Sequence, residues 1–148
     1  MCLKATGIEP LEGVTRTGFY DDSEIADWAK PYISTALMAG IVQGHTTDDG
    51  KTVFSPDAPI TYAQACVMLD NILDISDVTS AGSISQELCP AWAYQATVNL
   101  AACDIVTASS FTDSEEPLTR AQAAQMIQNA IALMDERDEG FSLLSWAE

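Results

Sequence analysis

The side chains that could do chemistry are few in kind and widely spread. The one histidine, His45, lies in the stretch Gly44-His45-Thr46-Thr47-Asp48-Asp49-Gly50. With Asp48 and Asp49 beside it, a metal or an acid–base pair comes to mind. Asp-Gly marks a turn, however, and a calcium loop of the EF-hand type also needs alternating ligands and a closing Glu, which this stretch lacks. No metal site is expected. The cysteines, Cys2, Cys66, Cys89 and Cys103, form no CxxC pair, which argues against zinc. Cys66 and Cys103 stand in apolar stretches and read as buried thiols acting as small hydrophobes. Cys89 and Cys103 sit at opposite ends of one predicted helix, about 20 Å apart and too far to bridge. There is no Gly-x-Ser-x-Gly elbow and no phosphate-cradling glycine loop. Carboxylates are plentiful, but glycosidase chemistry needs two of them fixed about 5–9.5 Å apart. No catalytic set and no cofactor are expected. Trp28 and Trp92 could serve as sugar-stacking platforms, but their regular place in apolar stripes predicts core packing.

Composition narrows the partners. The chain has 148 residues, 47% of them hydrophobic, enough for a buried core. Six basic residues face 22 acidic ones, for a net charge of -16. Nucleic-acid binders cluster Lys and Arg, so no nucleic-acid partner is expected, and an anionic membrane surface is disfavoured on the same ground. No apolar run approaches the roughly 18 residues of a membrane span, so no membrane insertion is expected. The start, Met1 to Gly7, has neither a basic nor an apolar leader region, so no signal peptide is read there.

The chain repeats itself. One copy runs Gly18-Phe19-Tyr20-Asp21-Asp22, Trp28-Ala29, Gly40-Ile41-Val42, Phe54, Pro59-Ile60-Thr61-Tyr62-Ala63-Gln64-Ala65. The other runs Trp92-Ala93, Asp104-Ile105-Val106, Phe111, Pro117-Leu118-Thr119-Arg120-Ala121-Gln122-Ala123. Trp to Ile spans 13 residues in both, while the loop before Phe54 is longer than that before Phe111. Matching helices with variable loops are the mark of a structural repeat. Cys2 to Ile8 resembles Leu69 to Ile75 in apolar spacing, with Gly7 as a left-handed helix stop. Trp146-Ala147 echoes the Trp-Ala pair once more.

Each copy reads as two helices. The first helix of the first copy is predicted over Trp28 to Ala39, with Asp27 as N-cap, Pro31 in the first turn and Gly40 at the end. Ile25, Trp28, Ala29, Tyr32, Ile33, Ala36 and Leu37 form its apolar stripe. In the second copy Pro90 opens the helix, and Cys103 takes the place of the closing glycine, which predicts a different turn. The second helices open on capping boxes, Thr61-x-x-Gln64 and Thr119-x-x-Gln122. Their buried stripes are Ala65, Leu69, Ile72, Leu73 and Ala123, Ile127, Ala130, Ile131, Met134. Val53-Phe54 is the one strand-like scrap.

The order Phe-x-Asp, Trp-Ala, Gly-Ile, Phe-x-Pro, Ile-Thr-x-Ala resembles the S-layer homology repeat of bacterial cell-surface proteins. The family's Ile-Thr-Arg-Ala-Glu appears as Ile60-Thr61-Tyr62-Ala63-Gln64 and as Leu118-Thr119-Arg120-Ala121-Gln122. The resemblance covers about Gly18 to Met134. It implies an all-α fold of tandem helix-loop-helix repeats, packed as part of a pseudo-threefold prism. It divides the chain into the end of a preceding repeat (1–10), repeats over 18–77 and 84–136, and an acidic linker with an apolar tail (137–148).

The resemblance also implies a role. Such modules hold surface proteins non-covalently on the bacterial cell wall or S-layer, outside the cell, by binding secondary cell-wall polysaccharide, often pyruvylated. The motif arginine meets the acidic sugar in an inter-repeat groove, which suits a guanidinium's bidentate bonds to carboxylate and the partial positive charge of a helix start. Carried over, this makes Arg120, Thr119, Tyr62 and Thr61 the ligand-binding candidates. Only Arg120 matches the arginine; Tyr62 could stack on a sugar or donate one hydrogen bond, and both motif glutamates are glutamines. The alternative is a structural spacer or protein-interaction module, docking on neighbouring repeats of a larger surface protein. That reading predicts Arg120 paired with Glu115 or Glu116 and an exposed apolar patch.

Overall fold

The computed structural model describes residues 1–79, 84–107 and 113–145, and of 139–145 only the course of the backbone. Phe111, Trp146 and Ala147 lie outside the described residues. The fold is mostly helical, as expected, with one two-residue hairpin. Contacts divide it into two compact units, Met1–Pro59 and Ile60–Glu148. No helix among the described residues is long and apolar enough to cross a membrane.

The first unit opens with the single turn α1 (Cys2–Ala5), stopped by Gly7 at φ 68, where only glycine sits cheaply. Helix α2 covers Lys30–Met38. It starts later than the spacing predicts, and Asp27 does not cap it: the N-cap is Ala29, with no side-chain bond. Asp27 instead lies 3.4 Å from Lys30 Nζ. The Lys30 ammonium is mostly engaged by Asp22, at 3.1 Å. Asp22 also accepts from Thr17 N–H (2.6 Å) and Thr17 Oγ1 (2.8 Å). These bonds, the backbone one first, hold its carboxyl down to about 2. Gly40 ends α2 at φ 72, with Ile41 N–H donating to Ala36 O (2.8 Å) and Gly40 N–H to Leu37 O (3.1 Å), a Schellman closure.

The landmarks Phe19-Tyr20-Asp21 now have a physical reason. Asp21 carboxylate oxygens accept from the N–H groups of Phe54 (2.9 Å) and Ser55 (2.7 Å). Tyr20 N–H donates to Thr52 O (2.9 Å), and the Phe19 and Phe54 rings meet at 5.5 Å. Together they pin the loop that holds hairpin strands β1 (His45–Thr46) and β2 (Thr52–Val53), antiparallel with His45 opposite Val53. Gly44 lets this loop approach: at φ 73, an added Cβ there would stand 2.5 Å from Phe19 Cε1.

The second unit contains α3 (Tyr62–Leu73), α4 (Ala91–Ala102) and α5 (Arg120–Ser145). Helix α3 packs mainly on α4 and also on α5. Its buried stripe of Ala65, Cys66, Leu69 and Leu73 shares this core with Ala93, Ala96, Leu100, Ile105, Val106, Met126 and Ala130. Both capping boxes form as predicted, Gln64 N–H donating to Thr61 Oγ1 and Gln122 N–H to Thr119 Oγ1, each at 3.2 Å. Helix α4 closes differently from the expectation. Cys103 keeps an ordinary φ of -99, and Asp104 takes the left-handed seat at φ 56. Ile105 N–H donates to Leu100 O at 3.0 Å, so the turn matches the one at Gly40, built with aspartate, which tolerates this region better than most residues.

Behind α4 lies a polar hub. Asn99 is fully buried. Its Nδ2 donates to Asp70 Oδ1 (3.1 Å) and Asp77 Oδ1 (3.2 Å). Its Oδ1 accepts from Val78 N–H (3.1 Å) and Gln95 Nε2 (2.9 Å). One side chain thus ties α3 and the segment after it to α4. Helix α5 does not stop before Asp135, as the acidic run suggested; it continues through that run to Ser145. Arg137 Nη1 donates to Leu73 O at 2.7 Å, capping the C-terminal end of α3.

Candidate functional site

The residues singled out by the sequence sit at two helix starts within the second unit. Thr61 and Tyr62 open α3; Thr119 and Arg120 open α5. A short antiparallel zipper joins the two starts. Leu118 N–H donates to Ile60 O (2.8 Å), Tyr62 N–H to Glu116 O (3.2 Å) and Ala63 N–H to Ser114 O (2.8 Å), around a bridge between Thr61 and Pro117. The zipper also answers an obligation of α3. Its first N–H groups have no intrahelical acceptor, and the carbonyls of Glu116 and Ser114 supply one each.

Within this frame the four candidates differ. The threonine hydroxyls are already engaged as caps, and Thr119 Oγ1 also donates to Gln122 Oε1 at 2.8 Å. Tyr62 is buried, 7% exposed, so its ring offers no face on which a sugar could stack. It packs at the motif position where the other copy has the exposed Arg120. Arg120 is exposed, and no ion pair among the described residues includes it. Glu115 and Glu116 are exposed nearby in sequence but do not pair with it. A guanidinium in this state keeps its whole donor fork for a carboxylate, beside the positive end of α5.

The tryptophans reverse their expectation. Trp28 is 76% exposed and Trp92 59%. Trp28 falls in the turn before α2, outside the helical stripe that was to bury it, and Trp92 falls in the first turn of α4. Their shared exposure follows their shared position in the repeat.

The other candidates stay structural. His45 is exposed on the hairpin, and no group of three metal-ligating side chains exists among the described residues. Cys66 is fully buried, and burial pushes its thiol up to about 12 despite a bond to Thr97. Cys89 Sγ lies 3.5 Å from the same Thr97 hydroxyl. Cys103 is only half-buried. Ser114 belongs to no motif, yet it is fully buried and its hydroxyl has no hydrogen-bond partner among the described residues. Nothing in a Ser between two acidic residues signals that.

Residues 18–66 match the S-layer homology domain. The chain is similar to a surface-layer 125 kDa protein of Lysinibacillus sphaericus, 27% identical over 92% of this chain and 11% of that protein. It is also similar to the exoglucanase XynX of Acetivibrio thermocellus, 33% identical over 45% of this chain and 6% of the enzyme. An amylopullulanase of Thermoanaerobacterium thermosulfurigenes is 34% identical over 44% of this chain and 3% of the enzyme. The chain thus spans about a tenth or less of each of these relatives. The landmarks Phe19, Asp21, Trp28, Ile41 and Phe54 all lie inside the stretch that matches this domain.

Proposed function

We propose that this chain is a non-catalytic anchoring module that holds a larger protein on the bacterial cell wall, binding an acidic wall polysaccharide through Arg120. The observation that carries the reading is the state of Arg120: exposed, without an ionic partner among the described residues, and next to a helix start. A free guanidinium so placed suits a carboxylate-bearing sugar, such as a pyruvylated residue. The relatives support the role. A surface-layer protein and two polysaccharide-degrading enzymes by name share this stretch as a small part of otherwise different lengths. A common attachment function explains such sharing better than a common catalytic one. The exposed Trp28 and Trp92 add aromatic faces of the kind that stack on sugars. The repeats over 18–77 and 84–136 would act with a neighbouring repeat to complete the three-sided arrangement that the resemblance implies.

The first copy's motif position favours a second reading for that copy alone. Tyr62 is buried, so there the motif serves packing and the charge contact rests on Arg120. Co-sedimentation with purified, peptidoglycan-linked wall polymer tests the proposal. The parent chain should pellet and Arg120→Ala should stay in solution, with unchanged circular dichroism. If parent and variant pellet alike, Arg120 is not the contact; if neither pellets while both are folded, the chain acts as a spacer.

A further inference from the structure

The starts of α3 and α5 carry the same motif in unlike surroundings. In α3, Tyr62, Ala63, Ala65 and Cys66 are buried. Counted from the capping threonines, their equivalents in α5 are Arg120, Ala121, Ala123 and Ala124. Of these, Arg120, Ala121 and Ala124 are exposed and Ala123 is half-buried. What differs is a neighbour. Ala63 packs on Cys89 and Ala93 of the next copy. Ala63 N–H donates to Ser114 O and Tyr62 N–H to Glu116 O. The N–H groups of Arg120 and Ala121 meet no acceptor among the described residues.

The segment that serves α3 has its own equivalent in the first copy. Counted back from Thr119 and Thr61, residues 114–118 answer to residues 56–60. Leu118 N–H donates to Ile60 O in the zipper, but Ile60 N–H meets no acceptor among the described residues. The carbonyls of Pro56 and Ala58 answer to those of Ser114 and Glu116, and they accept no backbone bond among the described residues. Pro56 keeps the one group the zipper takes from that position, its carbonyl. Residues 57–60 are exposed. The chain therefore displays both halves of one zipper. Charge fits as well. Asp57 stands between the two carbonyls, exposed and in no ion pair among the described residues, as Arg120 is at the start of α5.

We infer that the start of α5 is a docking edge for a second copy of this chain, which lays its segment 56–60 along residues 118–121. Ala121 N–H then donates to Pro56 O, Arg120 N–H to Ala58 O and Ile60 N–H to Leu118 O. This continues the pattern that already joins the starts of α3 and α5. Asp57 brings a carboxylate to the edge that carries Arg120, and a guanidinium bonds well to it. The contact is head-to-tail, because each partner uses a different patch, so the docked copy still offers its own α5 start to another. Three backbone bonds and a small apolar patch make a weak contact, dissociating at about 0.1 mM. The contact needs no polymer, so it is independent of the anchoring reading.

Analytical ultracentrifugation of the full chain tests this, from about 10 μM to about 1 mM. Salt of about 0.15 M screens the repulsion between chains of net charge -16. The weight-average mass should rise with concentration from that of a single 15.8 kDa chain. Over the same range the ¹⁵N amide signals of Ala58, Ile60, Arg120 and Ala121 should shift. Ala121→Glu puts a larger, charged side chain where the first copy has the fully buried Ala63. Position 121 is exposed in the single chain and lies in the first turn of α5, where an acidic residue suits the helix. Circular dichroism and Tm should therefore hold while association weakens at least about tenfold. Asp57→Lys sets like charge against Arg120 and should weaken association about two- to fivefold; adding Arg120→Glu to it should restore the lost part. A constant mass, shifts confined to other surfaces, full-strength association of Ala121→Glu, or a double variant weaker than Asp57→Lys alone overturns the inference. Arg120-dependent pelleting with wall polymer beside a constant mass removes the docking edge and leaves the anchoring reading intact; a rising mass without pelleting does the opposite.

Discussion

Asn99→Ala should be the most damaging single polar substitution in the second unit, and its cost should depend on pH. Asn99 makes four hydrogen bonds from a site with no solvent exposure. Two of them go to the carboxylates of Asp70 and Asp77, and bonds to charged groups contribute about 1.5–3 kcal/mol each. The others leave Val78 N–H and Gln95 Nε2 without their acceptor, about 1 kcal/mol each. The simple sum overstates the loss. Asp77 and Gln95 are exposed and Asp70 half-exposed, so water takes over part of what is lost. About 3 kcal/mol is the expected net cost at pH 7, a fall in Tm of about 6–12 °C for a chain of this size.

The pH dependence follows from Asp70. Burial, first of all, raises its pKa, Asp77 and Asp74 raise it further, and the Asn99 amide works against them. A carboxyl with a raised folded pKa binds its proton more readily folded than unfolded. Its contribution to stability therefore increases as pH falls through the raised value toward the unfolded value near 3.8. Removing Asn99 deletes the interaction that lowers this pKa, so the variant gains more from acid than the parent. The deficit measured by urea unfolding should shrink between pH 7 and pH 4. Asp70→Asn, which keeps an acceptor for Asn99 and removes the charge, should be neutral or stabilising at pH 7. A loss below about 1 kcal/mol for Asn99→Ala, or a deficit that grows toward acid, would refute the hub as described.

Three further changes test the rest of the fold by thermal unfolding. Asp104→Gly relieves a left-handed aspartate and removes an anion from the negative end of α4, and should stabilise by about 0.5–1 kcal/mol. Gly44→Ala drives a Cβ toward Phe19 Cε1 and Val53 O at a positive φ and should destabilise by about 2–4 kcal/mol. Trp28→Ala removes a side chain that is 76% exposed and should change stability by less than about 0.5 kcal/mol; a loss of about 3 kcal/mol or more would restore the core reading.

The parts legible in the sequence are those where one residue type answers one local need. Thr61 with Gln64 and Thr119 with Gln122 announce helix starts because each pair supplies two side-chain acceptors to its own backbone N–H groups. Gly7 and Gly40 announce stops because few other residues take a positive φ cheaply. What misled was the assumption that equal spacing means equal burial. Trp28 and Trp92 keep the same distance to Ile41 and Ile105, but that distance is set by the helix and its closing turn and says nothing about which side of the first turn meets the core. At the end of α4 the left-handed seat belongs to Asp104, which stands as far from Trp92 as Gly40 does from Trp28, and Cys103 only precedes it. The candidate site was only half visible. Arg120 stands out as a cation in an acidic chain, whereas the backbone partners that fix Ser114, Leu88 O and Ala63 N–H, lie 26 and 51 residues away in sequence. A motif can name the residue that meets a charged ligand. Which helix starts are served by distant parts of the chain is decided by tertiary hydrogen bonds that no local pattern encodes.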